Sequence, residues 1–163
     1  VMELDPSSVP HVARVLGDYS THRNRVEDAK QWYERASNVA ETLAGVEREE
    51  STIRLTDTFL RHDLSPDALA TLRGPLSRTT YLKRAYLLRK KISVAGTADH
   101  HVYVLAISVR GWRKATYESR TAEISEQLLQ SGELPDRTVI LGVNGENYRF
   151  GRKFFWMRGA RLV

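Results

Sequence analysis

The sequence predicts an α+β (or α/β) protein in which an N-terminal helical layer packs with a small mixed sheet of about four strands flanked by helices. Three observations carry that expectation. In the first 80 positions apolar residues recur at three- and four-residue steps, the period of amphipathic helices. From position 81 on, runs rich in Val, Ile, Leu and Tyr alternate with helical periods, as strands and helices of one sheet do. Charge divides the same way: residues 1–81 hold 10 Lys/Arg against 13 Asp/Glu, and residues 82–163 hold 15 against 7. The expected organisation is a helical region over 1–80 and an α/β region over 81–163, forming one compact body.

The first helix is expected after Ser7 or Ser8 as cap, with Pro10 in its first turn and Val12, Val15, Leu16 and Tyr19 as its apolar stripe. Asn24, with Glu27 three residues on, reads as a capping box for a second helix. Its inward face is expected to hold Ala29, Trp32, Tyr33, Ala36, Ala40 and Leu43, and Gly45 to end it. A third helix is expected over about 50–63, with Ile53, Leu55, Phe59 and Leu60 inward. A fourth starts at Ser65-Pro66 and is expected to stop at Gly74-Pro75.

In the second half, "AYLLRKKISV" (85–94) and "HVYVLAISV" (101–109) read as strands joined through "GTAD". "SRTAEISEQLLQSGEL" places Ile124, Leu128 and Leu129 at helical spacing before Gly132. "RTVILGV" (137–143) has the short apolar run of a central strand, "YRFGRKFFWMRG" reads as a helix burying Tyr148, Phe155 and Met157, and "ARLV" as a last strand.

Composition narrows the chemistry. Of 163 residues 41% are hydrophobic and 28% charged, and there is no cysteine, which excludes disulfides and thiolate metal sites. The longest uncharged apolar run, "VYVLAISV", falls well short of a membrane helix. "VMELDPSS" lacks the apolar core of a signal peptide, so a cytoplasmic location is expected, with a membrane tether only through other parts of the protein. Opening on Val and closing on "GARLV", the chain reads as a domain of a longer protein.

His100 and His101 offer the first candidate for catalysis, but neighbours on a strand point to opposite faces and cannot both reach one metal. Neither His-x-x-x-His, His-Glu-x-x-His, G-x-S-x-G nor a P-loop occurs. His62-Asp63 suits a helix C-terminus, where a histidine is favoured without catalysis. No catalytic residue, metal or cofactor is therefore expected.

The positive signal is basic residues interleaved with aromatics, in "LKRAYLLRKK", in "RGWRKATYESR" with Trp112, and in "NYRFGRKFFWMRGAR". Charge density selects Arg89, Lys90, Lys91, Arg113, Lys114, Arg152 and Lys153 as the binding residues. Converging on one side, they would meet an acidic protein surface, nucleic-acid phosphates or an anionic membrane.

Two resemblances add to this. Leu16-Gly17 with Ala29, Tyr33 and Ala36 fall at the small and large packing positions of a tetratricopeptide repeat, so residues 10–43 resemble one such helical hairpin. The pattern departs at Ala13 and Ser20, where that repeat carries Trp and Tyr, and its closing Pro is missing. The second half, through "AYLLRKKI", "VYVLAI", "TVILGV" and "GARLV", resembles an accessory region of bacterial membrane-bound zinc peptidases; that resemblance implies a non-catalytic cytosolic appendage. The resulting expectation is a non-catalytic binding or regulatory domain. It would recognise a protein partner through the hairpin and a basic α/β surface, a nucleic-acid-binding module being the alternative.

Overall fold

The structure, a computed structural model, describes residues 6–95, 97–111 and 113–163. Gly96 of the strand connection and Trp112 of the basic segment lie outside these residues. Among the described residues there are five α-helices and an open, mixed, four-stranded sheet, an α+β fold. The chain forms two units, one of the residues up to Thr52 with Ser93–Asp99, the other of Ile53–Ile92 with His100–Val163. Residues 53–80, expected in the helical region, thus belong to the unit that holds the sheet.

The first unit is built on a helical hairpin, α1 (Val9–His22) and α2 (Val26–Ser51). Its seam is made of small residues. Ala13, Gly17 and Ser20 are the buried positions of α1, Ala29 and Ala36 those of α2. Val15 and Tyr19, expected inward, are exposed, and Tyr33 is exposed as well. A Cβ on Gly17 would stand 2.8 Å from the Tyr33 ring, so only glycine lets that ring lie over α1. Tyr33 is held there by donating its hydroxyl to Asp18 at 2.6 Å. Asn24 is not a cap. It takes a left-handed backbone (φ 58°), which Asn tolerates better than most residues, and Arg25 precedes the helix without a side-chain cap. Gly45 does not stop α2, which continues until the Thr52 amide donates to the Arg48 carbonyl at 3.1 Å.

The second unit opens where a helix was expected over 50–63. Thr52, Ile53, Thr56 and Thr58 are β-branched and disfavour helix, and the Asp57 carboxylate accepts the Arg54 amide at 2.7 Å, a local turn in competition with it. The chain then runs straight into an edge strand, β1 (Phe59–Arg61). Next comes α3 (Pro66–Arg78), capped by Ser65 as expected. It passes through Pro75 because Leu72 and Leu76, both fully buried, anchor it on either side of the missing amide.

The sheet follows the chain order β1-β2-β3-β4. β2 (Leu82–Ile92) pairs antiparallel with β1 and with β3 (His100–Val109), whereas β4 (Thr138–Gly142) lies parallel to β3. That parallel step needs a crossover, supplied by α4 (Lys114–Ser131), which ends on left-handed Gly132. The last helix is α5 (Tyr148–Phe155). "ARLV" is strand-like without being a full strand. Leu87 donates to the Ala160 carbonyl at 2.7 Å and Leu162 to the Ala85 carbonyl at 2.8 Å, beside the stretch of β2 that β1 covers.

The near-continuous apolar runs of β2 and β3 are buried on both faces. On one face Ala85, Leu87, Leu105 and Ile107 meet Leu72 and Leu76 of α3 and Ile124 and Leu128 of α4. On the other, Tyr86, Leu88, Val104 and Ala106 meet Phe59, Phe150 and Phe154, the last two from α5. The inward face of α5 is therefore Phe150 and Phe154, four residues apart, and the expected Tyr148 and Phe155 are turned outward.

Candidate binding surfaces

The seven basic residues selected from the sequence do not form one face. Lys90 is 1% exposed and cannot meet a partner. Its ammonium lies 3.1 Å from the Asp57 carboxylate, itself almost buried. Lys153 is drawn to the same loop, donating to the carbonyls of Leu55 at 2.7 Å and Asp57 at 3.0 Å while covering the Phe59 ring. These two lysines hold the 54–58 turn against the sheet, which is why a segment with neither helix nor a full strand stays ordered.

Arg89 is also engaged. It donates to Asp63 at 2.6 Å and to the Arg61 carbonyl at 3.1 Å, tying β2 to β1. Tyr103, facing Arg89 across the β2–β3 pair, donates to the other Asp63 oxygen at 2.6 Å. The Tyr103 hydrogen bond, aided by the charges of Arg89 and His101, lowers the Asp63 pKa from its ordinary 3.8, against desolvation. Partial burial, then the bond to Asp63, raises that of Tyr103 from 10.0. Lys91 is exposed on the same strand, paired in register with His101.

Arg113 and Lys114 begin α4 and are exposed. A cation at a helix N-terminus opposes the helix dipole, and Lys114 is offset by Glu118 at 3.8 Å and Glu146 at 3.4 Å. The Glu146 charge is the chief cause that raises the Lys114 pKa from 10.5. Arg152 is exposed on α5 with no ion pair among the described residues.

The histidines stay apart. His100 and His101 pair with Ile92 and Lys91, and so face opposite sides of the sheet. No group of three or more His, Asp or Glu among the described residues is placed to hold a metal ion. His62 is not at a helix end but follows β1. It is 8% exposed, and its Nδ1 has no hydrogen-bond partner among the described residues. Desolvation lowers its pKa from 6.5, with Arg61 and Arg73 acting in the same sense and the Gly159 backbone and Asp63 against it.

Two clefts lie at the carboxyl end of β4, where consecutive residues open to opposite faces of the sheet. Gly142 lines the first, of about 350 Å³, beside Lys114, Tyr117, Glu118, Thr121 and Glu146. Val143 lines the second, of about 280 Å³, with Arg84, Ser108, Tyr148, Arg152 and Phe155. Between them Asn144 closes the sheet: it accepts the Val109 amide at 2.8 Å and donates to the Val109 carbonyl at 2.9 Å. The sequence reading picked one residue of each cleft, Lys114 and Arg152, and missed the rest.

The hairpin carries apolar concavities of its own. One, of about 440 Å³, lies along Val26, Ala29 and Tyr33; another, of about 180 Å³, along Val12, Leu16 and Trp32. No helix among the described residues is long and apolar enough to cross a membrane. Compared with protein families, curated proteins and solved structures, the chain matches none.

Proposed function

We propose that the chain is a non-catalytic recognition domain of a larger protein, binding a protein partner through the flanks of the α1–α2 hairpin. One observation supports this above the others: the hairpin's seam is filled by small residues, and several of its larger apolar side chains stay outside. Val15, Tyr19 and Val26 are 52, 56 and 72% exposed. A two-helix unit cannot bury all its apolar surface alone, and a partner helix or strand laid along it removes that surface from water. The basic residues favour this reading indirectly, since Arg89, Lys90, Lys114 and Lys153 are already committed within the chain.

Site-specific photo-crosslinking in cells tests it. A photoreactive phenylalanine analogue at Tyr19 or Val26 is expected to give a discrete adduct with one protein, and the same analogue at exposed Arg113 in the other unit to give none. Adducts at positions 19 and 26 no stronger than at 113 reject the hairpin as the contact surface.

A further inference from the structure

We propose that the cleft between β2, β3 and α5 is a nucleotide site, in which Arg84 and Arg152 hold a phosphate and the Tyr148 ring takes the base. This goes beyond the hairpin surface and belongs to the other unit.

The lining of the cleft includes two arginines and no carboxylate. Elsewhere Arg89, Lys90 and Lys114 each face an Asp or Glu, whereas Arg84 and Arg152 have no ion pair among the described residues. Two like charges sharing a concavity repel, and an anion between them relieves that cost. The chain around α5 strengthens the field: from Asn147 to Val163 it carries Arg149, Arg152, Lys153, Arg158 and Arg161 and no acidic residue.

The backbone aims Arg84 into this place. Leu82 pairs with Val109 and Arg84 with Ser108, so Lys83 is an extra residue, a β-bulge. The bulge lets Leu82 join the core under α3 and α4 while Arg84 turns to the α5 face. There the guanidinium lies 5.5 Å from the Phe155 ring centre. Stacked in this way, an arginine keeps its N–H edge available for two parallel bonds to phosphate oxygens. Ser108, opposite Arg84 on β3, adds a hydroxyl donor within the same cleft.

Stacking is the second requirement, and the outward aromatics of α5 meet it. Tyr148 is 54% exposed although it lines a cleft. One turn on, Gly151 adds no side chain to the wall of the cleft. A volume of about 280 Å³ suits a single nucleotide, whether free or one unit of a single strand. A lipid surface is the poorer fit, because Arg84, Tyr148, Arg152 and Phe155 line one recess.

Equilibrium titration of the 163-residue chain decides the matter. The probes are adenosine 5′-monophosphate, adenosine, inorganic phosphate, an eight-nucleotide single strand of thymidylate, and phosphatidylserine-containing vesicles. The monophosphate is expected to bind saturably, adenosine at least about tenfold more weakly, with Arg84→Gln and Arg152→Gln each lowering monophosphate affinity about tenfold. Tyr148→Ala is expected to weaken the monophosphate and leave inorganic phosphate unchanged. Tighter, steeply salt-dependent binding of the single strand assigns the site to a nucleic acid strand, and equal affinity assigns it to a free nucleotide. Absence of saturable binding by both nucleotide probes, indifference to both arginine changes, or binding to vesicles alone overturns the proposal. Should Arg84→Gln lower the melting temperature, Arg152→Gln decides, since Arg152 is exposed and unpaired among the described residues.

Discussion

In the hairpin the buried positions are Ala13, Gly17, Ser20, Ala29 and Ala36; in the sheet unit they include Leu72, Leu87, Leu105, Ile107 and Phe154. The first set gains by bringing two helix backbones close. The second gains by removing large side chains from water, about 1.5–3 kcal/mol for each Leu or Phe fully buried. A seam of small residues removes little apolar area, so the hairpin's large side chains remain on its flanks. The sheet unit, with helices on both faces, buries its large strand residues, while Leu129, Phe155 and Trp156 stay exposed. The difference shows what holds each unit together: closely approaching backbones in one, large buried side chains in the other.

The largest blow to this contrast should come from Lys90. Alanine there takes the ammonium away from the Asp57 carboxylate in an almost dry place, and breaking a buried pair from one side costs about 3–5 kcal/mol. Urea unfolding followed at the sheet unit should register that loss, and a cost under about 1 kcal/mol would mean that the pair is solvated after all. Gly17→Val should cost less, about 1–3 kcal/mol, by pushing the Tyr33 ring off α1 and breaking its bond to Asp18. Circular dichroism on melting checks it, and an unchanged melting curve would show the seam to be looser than its geometry implies.

Acid provides a subtler test. His62 has its folded-state pKa below the unfolded 6.5, so the unfolded chain binds the proton more readily. Stability due to this residue is therefore complete above pH 6.5 and declines as pH falls through 6.5 toward the folded value. His62→Gln should flatten that decline between about pH 7 and 5, read from urea midpoints, and an unaltered slope would assign the titration to another group. The smallest effect is expected at the hairpin's flank. Tyr19→Ser should change stability by no more than about 0.5 kcal/mol, because its surface is already wet. A larger loss would mean that the flank is already covered within the molecule.

Much of the architecture was legible in the sequence because its signals are local. The apolar runs of β2, β3 and β4, the Ser65-Pro66 start of α3 and the Gly132 end of α4 each depend on a few adjacent residues. What was hidden depends on distant partners. Helical spacing over 50–63 could not reveal that Phe59 pairs with Lys90, nor that Asp57 would hold that lysine inside. On α5 two apolar faces compete, and only the sheet above it selects Phe150 and Phe154 for burial, leaving Tyr148 and Phe155 outside. Charge density found Arg152 but passed over Arg84 in favour of Arg89, Lys90 and Lys91, since the bulge that re-aims it leaves no mark in composition.

The pairing of Ala160–Val163 along β2 has a consequence for handling the molecule. Those few residues shield main-chain groups at Ala85 and Leu87 beside a three-residue edge strand. Deleting them would bare an unprotected strand margin next to apolar side chains, the kind of margin on which chains assemble into insoluble aggregates.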